Sequence, residues 1–142
     1  MRDVSKHQRE NACGSDNVGD AVLRKFCELA AGALRPTDVF GRLGGEEFAV
    51  VLPGSSIEAA FARAERIRAS FAASCRFVEE QQVEATVSCG LAVSLKADEP
   101  LSALLKESDT ALYLAKAEGR NRVQRADRHR PAGGPSTVIR VA

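Results

Sequence analysis

The clearest candidates for chemistry are a glycine pair followed by two carboxylates and a phenylalanine, Gly44-Gly45-Glu46-Glu47-Phe48. Gly-Gly between apolar runs is typical of a tight hairpin, because both residues adopt positive φ at little steric cost. A turn without side chains leaves room for a ligand to approach the backbone. Adjacent carboxylates suit Mg²⁺, which binds carboxylates together with substrate phosphates. Taken alone, the motif is more typical of a solvated hairpin tip than of such a site.

The elements around this turn follow from hydrophobic spacing. Apolar residues at three-to-four spacing predict a helix between Gly19 and Pro36, and two short strands flank the glycine pair. A second helix is predicted from about Ile57 to Cys75, with a capping box formed by Ser55 and Glu58.

Residues 83–94 alternate between apolar and small or polar types, which predicts a strand with one buried face. A third helix is predicted from about Pro100 to Gly119, followed by a short strand at residues 121–124. This order predicts an α/β (α+β) sandwich, with helices packed on a largely antiparallel sheet. We expect residues 1–127 to form the domain. Proline and glycine at positions 131–135 predict that residues 128–142 are a disordered tail.

Charge and composition exclude several classes of protein. The 142 residues carry 20 Lys plus Arg and 19 Asp plus Glu, and this balance argues against binding to a nucleic-acid polymer. No apolar run approaches a membrane span, and the N-terminus is too polar for a signal peptide. The four cysteines lack C-x-x-C spacing, which favours free thiols in a reducing, cytoplasmic setting: Cys13, Cys27, Cys75 and Cys89.

Three segments, GRLGGEEFAVVLPG, TVSCGLAVS and SDTALYLAKAEGRNRV, closely resemble the GGDEF family of diguanylate cyclases. The resemblance spans roughly Asp3 to Val123. It implies a nucleotidyl-cyclase, palm-like domain with a mostly antiparallel sheet. It also implies an enzyme that condenses two GTP into cyclic di-GMP across a homodimer, releases two pyrophosphates and uses Mg²⁺ or Mn²⁺.

The resemblance also implies roles for individual residues. Glu46 and Glu47 would be the catalytic carboxylates and would bind metal together with Asp3. The implied nucleotide contacts are Gly44 and Gly45 at the turn, Asn11 and Asp20 at guanine, and Lys116 and Arg120 at the phosphates. The last two are four residues apart, so on a helix they would share a face. The alternative for them is a solvated cationic helix end, which also suits the helix dipole.

The beginning of the chain departs from the family pattern. Ser5, His7, Gln8 and Ala12 differ from the family's residues, as does the Ser15-Asp16 pair. The family has an apolar central strand that ends at the position of Asp3, and this chain has only Met1 and Arg2 there. The resemblance therefore predicts a truncated N-terminus, with the first central strand missing or incomplete, and a domain of low stability.

A regulatory site is implied by Arg35 and Asp38, an Arg-x-x-Asp pair at the register of the family's inhibitory product site. A helix-ending turn is the plain alternative. Arg66 or Arg68 would supply a further contact. Two other functions stay open beside the cyclase: a catalytically impaired module that binds cyclic di-GMP or GTP as a signalling receptor, and a structural remnant that binds nothing.

Overall fold

The computed structural model describes residues 2–3, 16–78, 80–94, 98–126 and 136–142. Its helices are α1 (Asp16–Ala33), α2 (Ile57–Ser74) and α3 (Leu101–Ala117). Its strands are β1 (Arg2–Asp3), β2 (Val39–Gly44), β3 (Glu47–Pro53), β4 (Phe77–Val78), β5 (Gln81–Gln82), β6 (Ala85–Thr86), β7 (Cys89–Val93), β8 (Val123–Arg125) and β9 (Ser136–Val141). The predicted order of helix, hairpin, helix, strand, helix, strand is confirmed. The small β4–β5 hairpin and β9 were not predicted.

The main sheet has five strands in the order β2-β3-β9-β7-β8. Every neighbouring pair is antiparallel except β7 and β8, which are parallel. The predicted α+β sandwich with a largely antiparallel sheet is therefore confirmed. One row of paired residues crosses all five strands, and it consists of Arg42, Phe48, Val141, Cys89 and Val123.

The central strand of this sheet comes from the C-terminal part of the sequence. β9 pairs with β3 from Ser136 opposite Pro53 to Val141 opposite Phe48, and its other edge pairs with β7. The prediction of a disordered tail is therefore wrong for residues 136–142. Proline and glycine before residue 136 suggested a linker, but the β-branched run of residues 137–139 favours a strand.

β9 lies where the resemblance predicted a missing strand. β1 is only two residues long and pairs in parallel with β6, outside the five-stranded sheet. As predicted, the described N-terminal residues Arg2–Asp3 do not supply the central strand. The sheet is nevertheless continuous, because β9 pairs with backbone N–H and C=O groups of β3 and β7 that would otherwise be buried without partners. The position of the missing strand is therefore occupied by β9, while the low stability of the domain stays a prediction.

Helices cover both faces of the sheet. Phe26 of α1 and Phe71 of α2 pack with Ile139 on one face, while Leu104 of α3 packs with Val138 on the other. Residues 85–94 are buried throughout, so the prediction of a strand with a single buried face is wrong. The reason is that α2 packs on one side of this segment and α3 on the other.

The start of α2 also differs from the prediction. Its N-cap is Ser56, whose side chain accepts a hydrogen bond from the backbone of Ala59 at 3.1 Å. Ser55 is buried instead, and its Oγ accepts a hydrogen bond from Arg35. None of the helices among the described residues combines the length and apolar character needed to cross a membrane.

Candidate active site

The β2–β3 turn has the geometry that its glycines predict. Gly44 has φ 151° and Gly45 has φ 53°, and both values lie in the region that favours glycine. Arg42 holds the turn, because its Nε donates to the carbonyl oxygen of Gly45 at 2.7 Å. A Cβ added at either glycine would meet no atom within 4 Å. The turn is therefore held by a side-chain contact, and it leaves open space beside the backbone.

Phe48 anchors this turn to the core. Its ring lies 5.0 Å from the ring of Phe26 and stacks on that of Phe40 at 5.4 Å. Phe26 in turn packs edge-on against Phe71 of α2 at 5.5 Å. Aromatic pairs at these separations add specific geometry to the hydrophobic burial. The carboxylates of Glu46 and Glu47 therefore extend from a strand end that Phe48 anchors in the hydrophobic core.

The two glutamates of the turn have different surroundings. Glu47 accepts a hydrogen bond from Nη2 of Arg140 on β9 at 2.9 Å, and the same Nη2 lies 3.8 Å from Asp109 of α3. Glu46 forms no hydrogen bond or ion pair with any described residue. One carboxylate is therefore held by the protein, and the other is available to a ligand.

The sheet register brings a second loop to the same end of the sheet as Glu47. Beyond the row that contains Phe48, Ser88 and Ala142 exchange backbone hydrogen bonds of 2.9 and 3.0 Å. The Ser88 hydroxyl accepts from the backbone N–H of Asn121 at 3.2 Å, and Arg68 of α2 donates to the Asn121 side chain at 2.8 Å. These bonds fix the turn between α3 and β8.

Arg120 lies in that turn, and its position corrects one expectation. α3 ends at Ala117, and Arg120 has φ 62°, so the spacing between Lys116 and Arg120 is not helical. The helix stops because Gly119 adopts φ 119°, outside the helical region. Lys116 is half-buried in the last turn of α3, and its side chain has no hydrogen bond or ion pair within the described part of the chain.

The residues predicted from the beginning of the sequence are placed only in part. Asp3 lies in β1, where its backbone pairs with Thr86, two residues before Ser88. Asp20 is exposed near the start of α1. Asn11 lies outside the described residues. The proposed metal and guanine roles of these three residues stay predictions.

Arg35 and Asp38 form an ion pair at the opposite end of the β2–β3 hairpin from Glu47. Arg35 Nη2 donates to the Asp38 carboxylate at 2.8 Å and to the carbonyl oxygen of Pro53 at 2.9 Å. The Asp38 side chain is fully buried, and Arg63 of α2 donates to its second oxygen at 2.8 Å. Burial would raise the pKa of Asp38, but hydrogen bonds from Arg35 and the charges of Arg35 and Arg63 lower this pKa below its usual value.

The further arginine expected beside this pair is a different one from those predicted. Arg63 contacts Asp38, whereas Arg68 pairs with Glu65 at 2.8 Å. Arg66 lines a shallow cleft between α1 and α2, together with Glu28. Helical spacing alone could not show which of these arginines faces the β2–β3 hairpin.

The cysteines behave as core residues. Burial raises the pKa of the Cys75 thiol to about 11 and that of Cys89 to about 12. Both are therefore protonated at neutral pH, as expected for inert buried thiols. Cys27 is half-buried and Cys13 lies outside the described residues. Among the described residues, no three His, Cys, Asp or Glu side chains lie together as a preformed metal site.

Comparison with known proteins identifies the family. Residues 3–122 match the family model described as diguanylate cyclase, GGDEF domain. This chain belongs to the GGDEF family. The domain is 35% identical over 123 residues to the response regulator PleD of Caulobacter vibrioides, covering 85% of this chain and 27% of that protein. It is also 35% identical over 122 residues to the diguanylate cyclase DgcP of Pseudomonas aeruginosa, covering 86% of this chain and 18% of that protein. The chain therefore spans about a quarter or less of these two relatives.

Solved structures give the same result for the fold. The active GGEEF domain of a Vibrio cholerae diguanylate cyclase matches with a TM-score of 0.72 and 31% identity, covering 87% of this chain and 78% of that one. The GGDEF domain of DgcB from Caulobacter crescentus, solved in complex with c-di-GMP, matches with a TM-score of 0.70 and 25% identity. That alignment covers 86% of this chain and 72% of the other.

Two residues at these sites were not found from the sequence. Arg140 lies in the segment that was predicted to be a disordered tail, and Arg63 belongs to a helix with several arginines. The β-branched run before Arg140 was the available signal for a strand. Nothing in the sequence indicated that Arg140 would meet Glu47, which is 93 positions away.

Proposed function

We propose that this GGDEF domain condenses two molecules of GTP into cyclic di-GMP and two pyrophosphates, as one half of a homodimer. The observation that carries the proposal is the open GGEEF turn, in which Glu46 has no partner among the described residues. Membership of the family supports the choice of reaction. Because each domain would hold one nucleotide, two domains must face each other for the reaction to occur.

The site suits a hard divalent cation, Mg²⁺ or Mn²⁺. Glu46 and Glu47 would hold it through carboxylate oxygens, with Asp3 as a further ligand. The described residues include no ready-made cluster of three ligands, so nucleotide phosphates and water would complete the shell, as is usual for Mg²⁺. When bound, the ion neutralises phosphate charge and lowers the pKa of the attacking hydroxyl.

The residues of the domain would act on the nucleotide as follows. The 3′-oxygen of one GTP bonds to the α-phosphorus of the other while the bond to pyrophosphate breaks. The proton of the 3′-hydroxyl passes to the Glu46 carboxylate, which has no competing partner among the described residues. The same step on the second nucleotide closes the ring. Positioning and charge neutralisation make up most of the catalysis in such transfers.

Nucleotide binding would use the last turn of α3, the turn between α3 and β8, and the start of α1. Lys116 and Arg120 would neutralise the phosphates, since guanidinium and ammonium groups form strong charge-assisted bonds there. Asp20 would accept hydrogen bonds from the guanine base, with Asn11 as the second guanine contact. Gly44 and Gly45 would let the nucleotide lie against the turn.

Product feedback is proposed at Arg35 and Asp38. Arg35 remains 42% exposed in its ion pair, so a phosphate or guanine edge can reach it. Asp38 is buried between Arg35 and Arg63, so a ligand that uses its carboxylate must first displace a guanidinium. The complex of DgcB with c-di-GMP supports product binding as a property to test in this domain.

The direct test is incubation of the purified chain with GTP and Mg²⁺, followed by mass spectrometric detection of cyclic di-GMP. Product that disappears in a folded Glu46→Gln variant would support the proposal. A chain that binds cyclic di-GMP or GTP without turnover would instead support the impaired signalling module. The pairing of Glu47 with Arg140 is the observation that favours this second function.

A further inference from the structure

The central strand carries an arginine into the carboxylate site. Along β9, Val138 packs on the α3 face of the sheet, and Arg140 follows two residues later on the same face. Its cross-strand neighbours are Ala49 and Gly90, which are both small. A long side chain therefore fits between the sheet and α3, and its guanidinium reaches Glu47.

We propose that Arg140 is a resident counter-cation that competes with the divalent metal for Glu47 and so sets the metal affinity of the site. This inference rests on the proposed function, in which Glu47 is a metal ligand. It adds a residue from the C-terminal strand to a site that the GGEEF motif alone does not define.

The contacts of Arg140 support competition in preference to a purely structural role. The side chain is only 16% exposed, and Nη2 is 2.9 Å from Glu47 and 3.8 Å from Asp109. Its Nε is buried without a hydrogen-bond acceptor among the described residues. A group that served only to stabilise the sheet would be expected to have this donor satisfied.

The physical basis is that a carboxylate already paired with a guanidinium binds a metal ion more weakly. A metal ion bound by Glu47 would have to share this carboxylate with Arg140 or displace the charge-assisted hydrogen bond from Arg140. A divalent ion a few ångströms from the guanidinium also meets electrostatic repulsion. With an effective dielectric constant close to that of water, repulsion over about 5 Å weakens binding roughly tenfold.

The test measures Mn²⁺ binding to the full chain by electron paramagnetic resonance titration, in the presence of a saturating non-hydrolysable GTP analogue that supplies the phosphate ligands. Arg140→Gln removes the charge, and Arg140→Met removes it while keeping a long apolar stem, so a folded variant is available if one of them is unstable. Both should bind Mn²⁺ about tenfold more tightly than the wild type. Arg140→Lys keeps the charge and should stay near the wild-type affinity.

Two controls test whether the effect comes from the change in net charge alone and whether it depends on Glu47. Arg76→Gln makes the same change in net charge at an exposed position and should leave the Mn²⁺ affinity unchanged. In a double-mutant cycle, Arg140→Gln should have a smaller effect when Glu47 is already Gln, because competition for that carboxylate is gone and only the repulsion between Arg140 and the metal ion remains.

The outcomes distinguish this inference from the proposed function. Equal or weaker Mn²⁺ affinity in folded Arg140→Gln and Arg140→Met, compared with the wild type, would overturn the competition and leave the metal role of Glu47 intact. If no variant bound Mn²⁺, the metal role itself would fail and the inference with it. Cyclic di-GMP synthesis, measured separately, reports on the proposed reaction.

Discussion

Arg63 of α2 donates a hydrogen bond of 2.8 Å to the Asp38 carboxylate, which Arg35 holds from the other side. This contact ties α2 to the start of the strand that leads into the GGEEF turn. Because the carboxylate is fully buried between two guanidinium groups, it stabilises the fold only while it is ionised. A site expected to bind product therefore also has a structural role.

The first prediction concerns acid stability. The pKa of Asp38 is lower in the folded protein than its usual value of 3.8. The contribution of this carboxylate to the free energy of unfolding is therefore fully present above about pH 5. The contribution is lost as the pH falls through the folded pKa. Asp38→Asn should lower the free energy of unfolding at pH 7, and the gap from wild type should narrow below pH 4. Urea unfolding at both pH values measures this gap.

Asp98→Asn is the matched control, because it removes one carboxylate at an exposed position. It should produce a much smaller gap at pH 7. A gap for Asp38→Asn that stays the same at both pH values would contradict the ion-pair interpretation.

The second prediction concerns product feedback. Arg35→Ala should weaken cyclic di-GMP binding by about tenfold to hundredfold, through loss of a charge-assisted hydrogen bond. Initial turnover should change little, because Arg35 and Glu47 lie at opposite ends of the β2–β3 hairpin. Calorimetric titration of cyclic di-GMP measures the affinity, with exposed Arg24→Ala as the control. Equal affinities in wild type and Arg35→Ala would mean that Arg35 and Asp38 form only a turn.

The third prediction concerns the GGEEF carboxylates. Glu47→Gln and Glu46→Gln should each abolish cyclic di-GMP formation while leaving a folded domain, since the change removes a charge with little change in volume. Glu58→Gln, at an exposed position in the first turn of α2, controls for the loss of charge. Product formation is followed by mass spectrometry and folding by circular dichroism. Full cyclase activity in a folded Glu47→Gln protein would exclude the role assigned to this carboxylate.

The sequence predicted those features that depend on neighbours in the chain. Three-to-four apolar spacing predicted the helices, and Gly44-Gly45 predicted the tight turn with positive φ. The end of α3 was predicted near Gly119, within two residues of its position at Ala117, but Lys116 and Arg120 were still interpreted as neighbours on one helix. The sequence contained the stop signal at Gly119, but it did not show that Arg120 would also leave the helical region.

Features that depend on strand pairing could not be predicted in the same way. β9 pairs with strands far from it in sequence, and proline and glycine before it suggested a flexible tail. Its insertion between β3 and β7 is favourable because it satisfies backbone groups on both edges at once. The ion pair of Arg140 with Glu47 follows only from that register.

The fourth prediction tests β9 as the central strand. Ile139 is fully buried, so Ile139→Ala should lower the free energy of unfolding by about 2–5 kcal/mol. Val39→Ala, at a position 60% exposed on β2, should cost far less. Urea unfolding measures both. Equal and small effects would mean that residues 136–141 do not pack in this sheet in solution.

β9 also changes what an added strand would do. The sequence alone predicted a missing central strand before Asp3, and on that basis apolar residues added there would restore the strand and raise the stability of the domain. With β9 already paired to β3 and β7, such an extension would have to displace it. We therefore expect an extension of about six residues to give little gain in melting temperature. A large gain in melting temperature would show that the added strand displaces β9 from the sheet.

The final prediction concerns the contact between the sheet and α3. A Cβ at Gly90 would lie 2.1 Å from the carbonyl oxygen of Ser108 and 2.3 Å from the backbone nitrogen of Leu112. Both are helix backbone atoms, so α3 would have to move as a unit. Gly90→Ala should therefore destabilise the domain by about 1–3 kcal/mol or more. It should also reduce cyclase activity, because α3 carries Lys116 and leads into the turn that holds Arg120.

Gly32→Ala in α1 is the matched control. No atom lies within 4 Å of its added Cβ, so it should be neutral or gain up to about 1 kcal/mol. Urea unfolding of both variants gives the comparison, and a Gly90→Ala protein as stable as Gly32→Ala would show that α3 does not pack this closely on β7.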